Sequence, residues 1–186
     1  MRYTFLLFCI SLCCFANAQH SLRYAGSVEG GLLMNSSTKS SFVFTTQGVA
    51  YKQYTLGLGS GIDFYPLRSV PLFVDVKRKF TAHKMQPFIE AAAGINFTGN
   101  NSNDAQWYHL YAGDGKFDNG FFAKGSGGII LRAQKKWQFA ISAGYSYKTT
   151  TYNYKPFTGT PWVGQIQPLK DIFHYNRWYL GVGVLW

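Results

Sequence analysis

Taken two residues at a time, residues 54–65 divide into two sets. Tyr54, Leu56, Leu58, Ser60, Ile62 and Phe64 form one, and Thr55, Gly57, Gly59, Gly61, Asp63 and Tyr65 the other. A period of two puts alternate side chains on opposite faces of an extended strand. The same division into an apolar face and a small or charged face recurs over residues 24–32, 72–77, 88–97, 121–132, 137–146 and 177–186. Residues 41–50 show it most weakly, with Phe42 and Phe44 on one face and Thr45 and Gln47 on the other. No long stretch carries a helical stripe. The pattern predicts an all-β protein of eight strands.

The connections alternate in length. Residues 51–53, 81–86 and 133–136 are short, whereas 36–39, 66–70, 98–119 and 149–176 are longer or have room to be. An even number of antiparallel strands, with tight turns at one end and longer loops at the other, is the layout of an up-and-down transmembrane barrel. A soluble carrier barrel has the same strands but turns its apolar faces inward.

The charged positions choose between the two. Glu29, Asp63, Asp75, Lys77, Glu90, Lys124 and Arg132 all fall on the glycine-rich face. A solvated surface has no need of so many glycines, but an eight-stranded lumen is only wide enough for side chains to fill it. The apolar face carries aromatics near its ends. Tyr54 and Phe64 stand ten positions apart, about 33 Å of strand. At a tilt of about 40° this becomes roughly 25 Å of height, the apolar band of a membrane barrel. Tyr24, Phe97, Trp137, Tyr145, Trp178 and Trp186 complete the set expected at the membrane interfaces, where rings with an apolar body and a polar edge are favoured.

Composition sharpens the compartment. Arg2, an apolar run from Phe5 to Phe15 and the small-residue site Ala16-Asn17-Ala18 have the form of a secretory signal peptide over residues 1–18, leaving one domain, 19–186. All three cysteines, Cys9, Cys13 and Cys14, lie within that leader. The exported chain would therefore be closed without disulfides. Without Arg2, 17 basic residues face 8 acidic ones. The basic residues are scattered and form no stripe, so nucleic acid is not indicated, and an anionic surface such as lipopolysaccharide fits better.

With these residues in view, the chain resembles the eight-stranded outer-membrane β-barrel domain proteins, the porin-like relatives of the outer-membrane protein A barrel. The C-terminal YLGVGVLW is similar to the insertion signal read by the barrel assembly machinery, with Tyr179, Gly181, Val184 and Trp186 in its places. The resemblance implies a Gram-negative outer membrane after cleavage of the leader. It also implies contact with outer-membrane lipid and lipopolysaccharide, and a non-enzymatic role presenting long extracellular loops to a partner.

The chemistry expected inside is a plug. Glu29, Asp63, Asp75 and Glu90 are to be neutralised by Arg23, Lys77, Lys124, Arg132 and Arg177, because buried charges need partners. Two alternatives stay open: a soluble periplasmic carrier of an apolar ligand, and a lipid A-modifying enzyme. The latter needs a histidine, a serine and an acid at the outer rim. His20 and His83 lie at the periplasmic end, while His109 and His174 have Asp114 and Asp171 near in sequence but no serine. The histidine spacing implies no metal or other cofactor. Residues 113–120, GDGKFDNG, suggest a calcium loop but lack its twelfth-position glutamate, so a turn-rich loop is expected. Trp107, Tyr108, Tyr111, Phe157, Trp162 and Phe173 in the two longest loops are to cap the barrel or form a partner surface.

Overall fold

Alternating β-branched and aromatic residues favour extended chain, and the computed structural model forms strands throughout. It describes residues 22–35, 38–64, 67–80, 85–99, 115–132, 137–154 and 169–186. The expected leader and its cysteines lie outside these residues. The strands are β1 (Leu22–Met34), β2 (Lys39–Tyr51), β3 (Tyr54–Asp63), β4 (Ser69–Lys79), β5 (Met85–Thr98), β6 (Gly115–Asp118), β7 (Gly120–Arg132), β8 (Gln138–Tyr154) and β9 (Leu169–Leu185).

The nine segments make eight staves, because β6 and β7 are one strand broken at Asn119. Asp118 faces Thr151 and Phe122 faces Lys148, so one side advances an extra residue between these pairs. That is a β-bulge, and at it Thr149 Oγ1 accepts a 2.8 Å hydrogen bond from the Phe121 N–H. Every neighbouring pair is antiparallel, and the wall closes where β9 pairs with both β8 and β1. Trp186 exchanges two backbone hydrogen bonds of 3.0 Å with Gly26, so the C-terminal residue is tied to the first strand. A circuit of paired residues from Leu22 through Tyr51, Tyr54, Arg78, Ile89, Gly127, Ala143 and Leu180 returns to β1 at Leu32, ten residues on. Such a stagger obliges the strands to tilt, typically by about 35–45°.

At one end the turns are short. β2 passes to β3 through Lys52 and Gln53 alone, with Lys52 left-handed at φ 53°, as a two-residue hairpin requires. At the other end β8 and β9 run 17 residues each and stay paired from Gln138↔Leu185 to Tyr154↔Leu169. β1 accompanies β9 only from Trp178 to Leu185, so the β8–β9 hairpin projects beyond its neighbour. The expected loop over 149–176 is thus corrected: both its flanks are strand. Beyond the membrane band neither face has to be apolar, so alternation in YSYKTTTYNY loses its contrast. The loop expected at 113–120 is corrected likewise, since Gly115–Asp118 pairs with β8.

The apolar faces point outward. Leu56, Leu58, Val74, Ile89, Ile141 and Val182 are each about half exposed or more, whereas Asp63, Asp75, Lys124, Lys148 and Arg177 are buried inside. β2 departs from this rule. Phe42 and Phe44 are buried in the lumen, and Thr45 and Gln47 face out. Tyr24 Oη donates to Gln47 Oε1, Gln47 Nε2 donates to Thr45 Oγ1 at 3.2 Å, and Thr45 Oγ1 donates to Ser27 O at 3.3 Å. A chain of bonds along the wall satisfies groups that lipid could not. This inversion is why residues 41–50 alternate so weakly.

Candidate functional site: the filled lumen and its mouth

Along β4 the inward side chains are Lys77, Asp75, Phe73, Pro71 and Ser69; along β9 they are Gly181, Tyr179, Arg177, Tyr175 and Phe173. Charge and aromatic ring therefore alternate up the lumen, and the other strands fall into the same layers.

Nearest the short turns is a group of acids and amines. Lys124 Nζ lies 2.9 Å from Glu29 Oε2 and 2.5 Å from Glu90 Oε1, and Lys77 Nζ lies 3.2 Å from Glu90 Oε2. Ser142 Oγ donates to the other oxygen of Glu29. Gly181 makes room for this contact, since a Cβ there would stand 2.6 Å from Glu29 Oε1. Asp75 sits beside Glu90 and shares a side-chain hydrogen bond with it.

The next layer is aromatic: Phe42, Phe44, Phe73, Phe122 and Tyr179 pack with Leu33 and Ala92. Ring centroids are separated by 4.7 to 5.9 Å, several pairs edge-on, the geometry aromatic pairs prefer. Lys124 Nζ lies 5.6 to 5.9 Å from the ring centroids of Phe44, Phe73 and Tyr179, so its charge is held by rings as well as by carboxylates. Gly59 makes space for Phe73, whose ring would lie 2.2 Å from any Cβ at that position.

Above the rings a second ionic group centres on Asp63. Arg177 Nη1 donates to Asp63 Oδ1 at 3.0 Å and Oδ2 at 2.8 Å, and Lys148 Nζ approaches Oδ2 at 3.2 Å. Lys148 also donates to Ser69 Oγ at 2.9 Å and to Leu67 O at 3.3 Å. The upper end is closed by Leu67, Phe117 and Tyr152, with Tyr154 and Phe173 packed against them.

Of the residues expected in one network, Glu29, Lys77, Glu90 and Lys124 meet in the first group and Asp63 and Arg177 in the second. Asp75 adjoins the first. Arg23 is exposed at the short-turn mouth and joins neither ion-pair group. The Arg132 side chain lies outside the described part. Lys148 was not anticipated, because it falls where alternation had faded; its place two residues beyond the inward Ser146 was the available signal. The expected interface aromatics Tyr24, Tyr54, Phe64, Phe97, Trp137, Tyr145, Trp178 and Trp186 all face outward. Tyr145 meets Trp178 edge-on at 5.2 Å, Trp137 lies 5.9 Å from Trp186, and Arg78 stacks over Tyr54 and Phe80. His174 Nδ1 lies 2.7 Å from Tyr147 Oη, a tyrosine in place of the serine an acyl hydrolase needs. Phe173 belongs to β9, while His20, His83, His109, Trp107, Tyr108, Tyr111, Phe157 and Trp162 lie outside the described residues.

Below the first ionic group the lumen opens into a cavity of about 360 Å³ at the short-turn end. Among the described residues Arg23, Lys52, Lys77 and Lys79 line it, with Thr46, Thr55, Gln53, Gln86 and Gln138, and Asp75 is the one acid of that lining.

Comparison with known proteins places the fold. No family model matches the chain, and no curated protein matches it in sequence. Among solved structures similar in shape are three, each at 10% identity. One is the outer membrane protein OprG from Pseudomonas aeruginosa, with a TM-score of 0.57 over 89% of this chain and 96% of that one. A second is the outer membrane protein AlkL, solved in lipid bilayers, at 0.53 over 88% of both chains. The third is Neisserial surface protein A, at 0.50 over 88% of this chain and 97% of the other. The fold is that of eight-stranded outer-membrane barrels; the comparisons do not single out the outer-membrane protein A type.

Proposed function

We propose, taking an integral outer-membrane barrel of eight strands as the premise, that the protein is a non-enzymatic membrane element with a plugged lumen. It presents its long-loop end to the outside, for structural, adhesive or partner-binding roles. The observation that carries this reading is the layered filling of the lumen, two ionic groups with aromatic rings between them. Bacterial barrels keep their short turns in the periplasm, which puts the projecting β8–β9 hairpin on the extracellular side. Lipopolysaccharide is the nearest anionic surface for a basic chain there, and Tyr179, Gly181, Val184 and Trp186 would address the barrel assembly machinery on the way in.

A soluble carrier would need the opposite orientation of the apolar faces. Among the described residues an acyl hydrolase reading finds support only in His174, and its neighbour there is Tyr147. Planar-bilayer recording of the refolded protein tests the proposal. Conductance indistinguishable from the bare membrane is expected, and stable open steps in every insertion would overturn it.

A further inference from the structure

The lipid-facing wall carries a polar patch. Among the described residues, outward positions between the two levels of interface aromatics hold aliphatic residues, alanine or glycine, except at Thr45, Gln47 and Ser60. These three adjoin one another. Thr45 pairs with Ser60 across β2 and β3, and Gln47 stands two residues along β2 from Thr45. Ser60 is six residues from Tyr54 and four from Phe64, so the patch lies at hydrocarbon depth. Polar side chains are expensive there and are kept where they meet protein instead of lipid. The wall itself satisfies the patch only in part. Gln47 Oε1 accepts from Tyr24 Oη, and Gln47 Nε2 gives one N–H to Thr45 Oγ1 at 3.2 Å, whose own proton goes to Ser27 O. A side-chain amide has two N–H donors and two acceptor lone pairs. One of each is left over on Gln47, an exposed side chain. Beside the patch Gly30 pairs with Val43 and leaves a hollow, since a Cβ there would meet nothing closer than 3.6 Å.

We infer that two copies of this chain associate in the membrane through this face, about a two-fold axis along the bilayer normal. Such an axis brings residues of equal depth together and makes the contact self-complementary. Gln47 then faces Gln47 of the second copy. An amide complements itself, because each donates its spare N–H to the other's carbonyl oxygen and accepts one in return. That self-complementarity selects a second copy over an unlike partner. The Gly30 hollow and the short side chain of Ser60 let the two walls approach, as small residues do wherever membrane segments pack. The inference goes beyond the plugged-barrel proposal and does not depend on whether the lumen conducts, so association and conductance can fail separately.

Sedimentation of the full-length protein in density-matched micelles tests it. A reversible dimer is expected. Gln47→Leu should weaken it by about tenfold, the worth of the lost amide bonds in a membrane. The fold should survive, since Leu56 and Leu58 already hold such positions on β3. Gly30→Leu, which fills the hollow, should weaken the dimer by a similar factor. In vesicles, Val43→Cys on the patch side should cross-link into dimers on oxidation, whereas Ile129→Cys on the far side of the barrel should not. A chain that stays monomeric, a dimer as tight in either leucine variant as in wild type, or cross-linking at Ile129→Cys equal to that at Val43→Cys would overturn the inference.

Discussion

The two ionic groups of the lumen neutralise charge in different ways. Around Lys124 the partners are shared: Glu90 serves two amines, Lys124 serves two carboxylates, and the cavity lies beneath. Around Asp63 one carboxylate serves both Lys148 and Arg177. Exposure separates them further. Glu29 and Lys77 keep 15% and 11% of their side-chain surface, while the Asp63, Lys148 and Arg177 side chains keep at most 1%. The lower group can lose a member and be rescued by a second partner or by water. Among the described residues the upper group has one acid, and it lies between the ring layer below and the Leu67–Phe117–Tyr152 cluster above. Dry pairs suffer most when one partner goes.

The largest expected effect therefore falls on Asp63. Asp63→Asn leaves two buried cations facing a neutral amide and should cost about 3–5 kcal/mol, read as a lower urea midpoint in lipid bilayers. The double variant Asp63→Asn/Lys148→Met should recover part of that loss, because it removes one stranded charge. A double variant as unstable as the single would show that Lys148 is not held by Asp63. Next comes Phe73→Ala in the ring layer, at about 3 kcal/mol for the cavity it leaves. Glu90→Gln should cost less, about 1–3 kcal/mol, since Glu29 still holds Lys124. If Glu90→Gln proved as damaging as Asp63→Asn, the contrast between the groups would be lost. The smallest effect belongs to Arg23→Gln at the mouth, within about 0.5 kcal/mol of wild type.

What the sequence made legible follows the membrane. Where one face met lipid and the other a narrow lumen, as in residues 54–65 and 177–186, alternation assigned strand, face and closure together. Legibility failed where that contrast did. β2 sends Phe42 and Phe44 inward to complete the ring layer, and its polar Thr45 and Gln47 are reconciled with the lipid side by hydrogen bonds that no pattern of polarity encodes. The upper parts of β8 and β9 carry polar and aromatic residues on both faces, so Lys148 was marked only by its place two residues beyond the inward Ser146. Which acid meets which base was also beyond the pattern, because neighbours across the lumen are fixed by the ten-residue stagger and not by distance along the chain.

Residues 15–186 contain no cysteine, so single thiols can report where water reaches. The most direct measurement is labelling of Ser27→Cys at the mouth and Ser146→Cys beside Arg177 by a charged, membrane-impermeant thiol reagent, on protein reconstituted in vesicles. The layered plug predicts that Ser27→Cys reacts from the short-turn side and Ser146→Cys from neither side until the barrel is unfolded. Rapid labelling of Ser146→Cys in the folded barrel, from either side, would contradict it.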